Sequence, residues 1–148
     1  MTKDWENIKL LIDTNVVLNV LLRREPFSET AAEVLNPTQR DDVREYVFAS
    51  AITDIYYIAN KQLKDRAAVR NLLERLLKIV SVAAVSEQEI RNALNLTWAD
   101  FEDSVQYSVA LLNEMDGIVT RNPDDYQEAN MRIWLPEQAL ELFAVNEP

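Results

Sequence analysis

Aspartates standing directly after apolar runs are the residues of this sequence best placed to do chemistry. Asp13 follows Leu10, Leu11 and Ile12 and precedes Thr14 and Asn15; Asp54 sits between Ile52 and the run Ile55 to Ile58. Asp100 and Asp103 are three residues apart, so both can project from one face of a helix. Carboxylates in water-poor positions repel one another and resist ionising together unless a cation joins them. A hard divalent ion resolves that conflict. Each acid also has a plainer reading. Asp13 can cap the helix after its strand, Asp54 and the Asp100/Asp103 pair can answer helix dipoles, and Asp124 and Asp125 can open a helix after Pro123.

Composition narrows the chemistry further. There is no histidine, which excludes histidine-based triads, the common zinc sites and a histidine base. There is no cysteine, which removes disulfides and thiolate catalysis. The one glycine, Gly117, cannot supply a phosphate-cradling glycine loop. Carboxylate, hydroxyl, amide, Lys and Arg remain. A formal net charge of −10 opposes phosphate binding in general, yet it is also what a carboxylate-built cation site contributes. With 148 residues, 48% hydrophobic and 27% charged, the chain is expected to be one domain, residues 1–148. No apolar run is long enough to span a bilayer, and the start lacks a signal peptide's apolar region, so the expected compartment is the cytosol.

Short apolar runs alternating with helical segments must position these acids. Strands are expected at Ile8–Ile12, Tyr46–Ala49, Ile79–Val82, Ile118–Thr120 and Ile133–Leu135. Helices are expected at Asn15–Leu22, from a Ser28 cap to Leu35, after Ser50 and Thr53, at Asp65–Leu77, from a Ser86–Glu89 capping box to Leu94, at Ala99–Glu114, at Pro123–Glu128 and at Pro136–Phe143. Phe101, Val105, Val109 and Leu112 form the expected buried stripe of the Ala99–Glu114 helix, and Met115-Asp-Gly117 its end. The alternation implies a three-layer α/β/α fold around a parallel, roughly five-stranded sheet. In such a sheet ligands bind beyond the carboxyl ends of the strands, near the point where strand order reverses. That rule selects Asp13, Thr14 and Asn15, then Ser50 and Asp54, then Thr120, Arg121 and Asn122.

The segments Leu10-Leu-Ile-Asp13-Thr-Asn15, Ser50-Ala-Ile-Thr-Asp54-Ile55, Asp100-Phe-Glu-Asp103 and Ile118-Val-Thr120-Arg-Asn122 resemble the successive motifs of PIN domains. That family includes the ribonuclease toxins of bacterial toxin–antitoxin pairs, and the likeness runs over about residues 8 to 143. The resemblance implies an RNA-cleaving, Mg²⁺- or Mn²⁺-dependent hydrolase with Asp13, Asp54 and Asp103 as catalytic metal ligands. Asn122 stands where many members carry a fourth Asp, and Asp100 and Asp125 are further acids that could compensate. The likeness gives Asn15 and Thr120 supporting roles. Arg121, Lys61, Arg23 and Arg24 are candidates for holding RNA phosphates. It also implies a homodimer and an antitoxin protein as partners. The uncovered helix faces of Asn15–Leu22 and Asp65–Leu77 are the expected dimer surface.

Two other readings start from the same acids. A dehalogenase-like phosphatase needs a second Asp two residues after the first, where this chain has Asn15, and a receiver domain needs an Asp ending its third strand. The stronger alternative keeps the PIN fold but makes the chain a catalytically weak or inactive module that binds RNA or protein. Asn122 and the net charge of −10 favour it, and retention of Asp13, Asp54 and Asp103 opposes it.

Overall fold

The computed structural model describes residues 7–36 and 42–145. Five parallel strands, β1 (Ile8–Ile12), β2 (Val43–Phe48), β3 (Ser81–Ala83), β4 (Gly117–Val119) and β5 (Arg132–Trp134), form one sheet in the order β3-β2-β1-β4-β5. The helices are α1 (Thr14–Leu21), α2 (Ser28–Val34), α3 (Ala49–Leu63), α4 (Arg66–Leu76), α5 (Glu87–Asn95), α6 (Phe101–Leu112) and α7 (Pro136–Val145), with a 3-10 turn at Pro123–Tyr126. From β1 the chain winds outward through β2 to β3, then crosses back to β4 on the other side of β1 and on to β5. Parallel crossovers keep one hand, so this reversal puts the helices that connect β1, β2 and β3 on one face of the sheet and those that connect β3 to β4 on the other. Helices α1 to α4 and α7 pack as one connected set, and α5 and α6 pack on each other. The result is the expected three-layer α/β/α architecture. Strand order reverses between β1 and β4.

The central strands are buried because the sheet is covered on both faces. In β1 Ile8, Leu10, Leu11 and Ile12 are fully buried, as are Ile118 and Val119 in β4. Strand β2 starts three residues earlier than its apolar run suggests. Val43, Arg44 and Glu45 pair with Ile8, Lys9 and Leu10, and the buried Glu45 takes a position that polarity alone would assign to a loop. Ala49 begins α3 instead of ending β2, and Ile79 precedes β3 instead of opening it.

Helix α6 departs most from expectation. Phe101 and Leu112 are about half exposed, while every residue from Ser104 to Ala110 is buried. The middle of the helix is enclosed on all sides, so a one-sided apolar stripe does not describe it, and Ser104, Gln106 and Ser108 are buried along with Val105 and Val109. Gly117 does not end that helix but begins β4. A Cβ there would overlap the Trp134 ring and the Arg132 carbonyl of the neighbouring strand, so only glycine allows this approach.

Helix starts follow local hydrogen bonding. Asp65 and Asp100 cap α4 and α6, accepting from Ala68 N at 3.1 Å and Asp103 N at 3.0 Å. The Ser86–Glu89 capping box forms on α5. Ser28 is the first helical residue of α2, not its cap, and its hydroxyl donates to Glu25 Oε1 at 2.7 Å. The apolar side of α1 is covered within this chain, with Val16, Val17 and Leu18 buried, whereas Leu77 after α4 is about half exposed.

Candidate active site

Asp13 leaves β1 in extended conformation (φ −65°, ψ 148°) as α1 begins, and its backbone N–H donates to the Val119 carbonyl of β4 at 2.9 Å. Its carboxylate does not cap α1. It accepts instead from the Thr120 hydroxyl at 2.7 Å, and the Gln106 side chain beside it also favours its charged form. Thr120, fully buried at the end of β4, accepts in turn from the Asn122 backbone N–H at 3.0 Å. The strand reversal thus brings Asp13 and Thr120 together across 107 residues of sequence.

Helix α3 contributes Asp54 just beyond its first turn, and α6 contributes Glu102 and Asp103 from its first turn and Asp100 as its cap. With Asp125 these carboxylates line one open cleft of about 440 Å³ together with Asp13, Asn15 and Asn122. No lysine or arginine is among its lining residues. The structure therefore gathers Asp13, Asp54, Asp103, Asp100, Asp125, Asn122 and Asn15 in one place. Asp103 receives a hydrogen bond from the Tyr126 hydroxyl at 3.2 Å.

The cleft is electrostatically loaded. Burial, then the charges of Asp100 and Asp13, push the Asp103 carboxyl up to about 7, against a lowering contribution from Tyr126. Burial also raises Asp13, while Thr120 and Gln106 pull the other way. Glu102 is raised by burial and by the neighbouring Asp54. Two buried oxygens along the cleft, Thr14 Oγ1 and Asn15 Oδ1, have no hydrogen-bond partner. Oxygen donors in excess, mutual repulsion and orphaned oxygens are the donor chemistry that Mg²⁺ or Mn²⁺ would satisfy. Among the described residues no three acidic side chains stand close enough to enclose an ion as they are. They share a cleft, not a closed cage.

The basic residues named from sequence lie outside this cleft. The Arg121 guanidinium lies over the Phe27 ring at 4.4 Å and binds Glu137 Oε1 at 2.6 Å. Arg23 lines a separate, largely apolar groove with Leu35, Leu72 and Leu76. Lys61 and Arg24 are exposed. Three residues that belong with the site were not picked out from sequence. Glu102 could have been found by its place beside Asp103 in a helix's first turn. Gln106, one turn after Asp103, and Tyr126 are recognisable only once β1, α6 and the 3-10 turn are seen to meet.

A family model for the PIN domain matches residues 9–124. A comparison with curated proteins yields no significant match. Among solved structures, a toxin–antitoxin complex from Klebsiella pneumoniae is similar with a TM-score of 0.65 at 15% identity, covering 86% of this chain and 97% of that one. VapC20 from Mycobacterium tuberculosis, a toxin that cleaves the sarcin-ricin loop, gives 0.60 at 16%, covering 74% and 86%. FitAcB from Neisseria gonorrhoeae gives 0.64 at 17%, covering 86% and 98%. At these identities the structures establish a shared fold, and the family model covers well over half of the chain. The chain belongs to the PIN domain family.

Proposed function

We propose that this protein is a metal-dependent endoribonuclease that hydrolyses RNA phosphodiester bonds at the acidic cleft, and that it acts as the toxin of a toxin–antitoxin pair. The observation that carries the reading is the gathering of Asp13, Asp54 and Asp103 in one cleft at the sheet's reversal point, with no basic residue lining it. Asp13, Asp54 and Asp103 would hold Mg²⁺ or Mn²⁺, with Asn122, Asp100 and Asp125 within the same cleft to assist. When bound, the cation supplies Lewis-acid chemistry, polarising a phosphoryl oxygen and making water a better nucleophile.

The protein's own groups set the conditions for that chemistry. Thr120 and Gln106 keep the Asp13 carboxylate oriented and favour its ionised form. The uncompensated carboxylates repel phosphate in the absence of a cation, so RNA engagement and metal loading are coupled. At the lip, Tyr57 is 70% exposed and offers a face on which a base of single-stranded RNA can stack.

The toxin role and an antitoxin partner are supported by the likeness to solved toxin–antitoxin complexes. A homodimer in the cytoplasm completes the proposal. No helix among the described residues is long and apolar enough to cross a membrane.

A second reading, an RNA- or protein-binding PIN module without catalysis, is favoured by Asn122 in place of a further acid and by the net charge of −10. Cleavage of single-stranded RNA with Mn²⁺ separates the two. We expect metal-dependent cleavage by the wild type, reduced to background in the nearly isosteric Asp13→Asn, which folds normally. A wild type that binds Mn²⁺ yet cuts no RNA across a broad substrate panel favours the binding module. Cleavage that survives Asp13→Asn refutes this assignment of the site.

A further inference from the structure

We infer that Gln106 and Tyr126 are positioning residues that fix the carboxylates of Asp13 and Asp103 relative to one another, and with them the geometry of the proposed cation site. The inference rests on the reading of the cleft given above. Gln106 is 1% exposed and Tyr126 2% exposed, and neither lines the cleft. They therefore act on the site through other side chains.

The hydrogen bonds run in one direction. Gln106 Nε2 donates to the Tyr126 hydroxyl, and that hydroxyl donates to Asp103 Oδ1 at 3.2 Å. A phenol has a single proton, so accepting from Gln106 leaves that proton for Asp103. The Gln106 side chain also lies beside Asp13, close enough to favour the charged form of its carboxylate. One amide thus stands beside the carboxylate that ends β1 and is bonded, through the 3-10 turn, to the carboxylate that starts α6. The Tyr126 ring is itself fixed, edge-on to Trp98 at 6.1 Å, and Trp98 stacks on Tyr107 at 4.9 Å.

This arrangement is a poor one for stability alone. Gln106 Oε1 is buried without a partner, a state that costs stability and that an apolar pair of similar shape would avoid. A buried polar network with one oxygen unsatisfied makes sense where its donors are needed by the two carboxylates they reach. Groups that orient ligands from behind in this way typically change metal affinity or activity 10- to 100-fold when removed.

The test uses the full chain with Mn²⁺ as the probe. In Tyr126→Phe we expect Mn²⁺ affinity, measured calorimetrically without RNA, to fall by roughly 10- to 100-fold. In the cleavage assay kcat should fall while KM for RNA stays the same. Tyr126→Phe with Gln106→Leu removes both polar partners and should regain thermal stability lost in the single variant, while Mn²⁺ affinity stays low. A purely structural role predicts recovery of both, and that outcome overturns the inference. So does a Tyr126→Phe protein whose Mn²⁺ affinity and kcat match the wild type. If the wild type itself binds no Mn²⁺, the cleft reading fails, and metal-free crystals of Tyr126→Phe decide the brace. A displaced Asp103 carboxylate upholds it; an unmoved one overturns it.

Discussion

Two carboxylates of the sheet, Asp13 half-buried and Glu45 buried, show how differently this fold treats negative charge. Asp13, at the carboxyl end of β1, accepts from Thr120, lies beside Gln106 and shares a cleft with five other acids. Glu45, inside β2 and paired in register with Leu10, is 4% exposed, and neither of its carboxylate oxygens has a hydrogen-bond partner. Burial alone pushes Glu45 well above the ordinary carboxylate range, which favours its neutral form. At Asp13 burial is opposed by donors that favour the charged form. One acid is silenced by its surroundings, and the other is kept available for a cation.

The difference has measurable consequences. Mn²⁺ at a hundredfold excess over its dissociation constant should stabilise the fold by about 2.7 kcal/mol, because it relieves repulsion in the cleft and not at Glu45. Thermal unfolding with and without Mn²⁺ checks this, and Asp103→Asn should remove most of the gain. The affinity should also rise with pH through about 7, where Asp103 gives up its proton, since cation and proton compete for the same oxygens. Equal Mn²⁺ stabilisation in wild type and Asp103→Asn would break the comparison.

A smaller effect concerns Glu45. Its folded-state pKa is raised, so above its ordinary value of 4.5 the unfolded chain loses a proton that the folded chain keeps. Stability is therefore fully present at low pH and declines as pH rises toward the folded pKa, by roughly 1.4 kcal/mol per pH unit for one proton. Glu45→Gln cannot ionise, so its stability relative to the wild type should grow with pH over that window, with or without Mn²⁺. Urea unfolding of both proteins between pH 4 and 8 tests this. A constant difference across the range would show that Glu45 is ionised in the folded state.

The contrast also explains what the sequence made legible. Asp13 and Asp54 stand out because each follows or interrupts an apolar segment, and the strand-end rule places such residues where ligands bind; Asp103 stands out by its spacing from Asp100 and by the family likeness. Most strands and helices are readable within a few residues for the same reason of periodicity. Glu45 is hidden by the same logic. A buried, unpaired acid inside a strand looks like the polar residue that ends one, and so β2 reads short. Gln106 and Tyr126 are hidden differently. Twenty residues apart in sequence, they matter only through a meeting of α6 with the 3-10 turn that no local pattern encodes. Arg121 reads from sequence as a phosphate-binding residue, but its side chain is taken up by Phe27 and Glu137.

The most direct test of the central claim is anomalous scattering from crystals soaked in Mn²⁺. The account predicts at least one Mn²⁺ peak in the acidic cleft within coordination distance of oxygens from Asp13, Asp54 and Asp103, with the carboxylates drawn closer together than in the metal-free protein. Crystals fully equilibrated with Mn²⁺ that show no peak there, or only peaks on carboxylates outside the cleft, would contradict it.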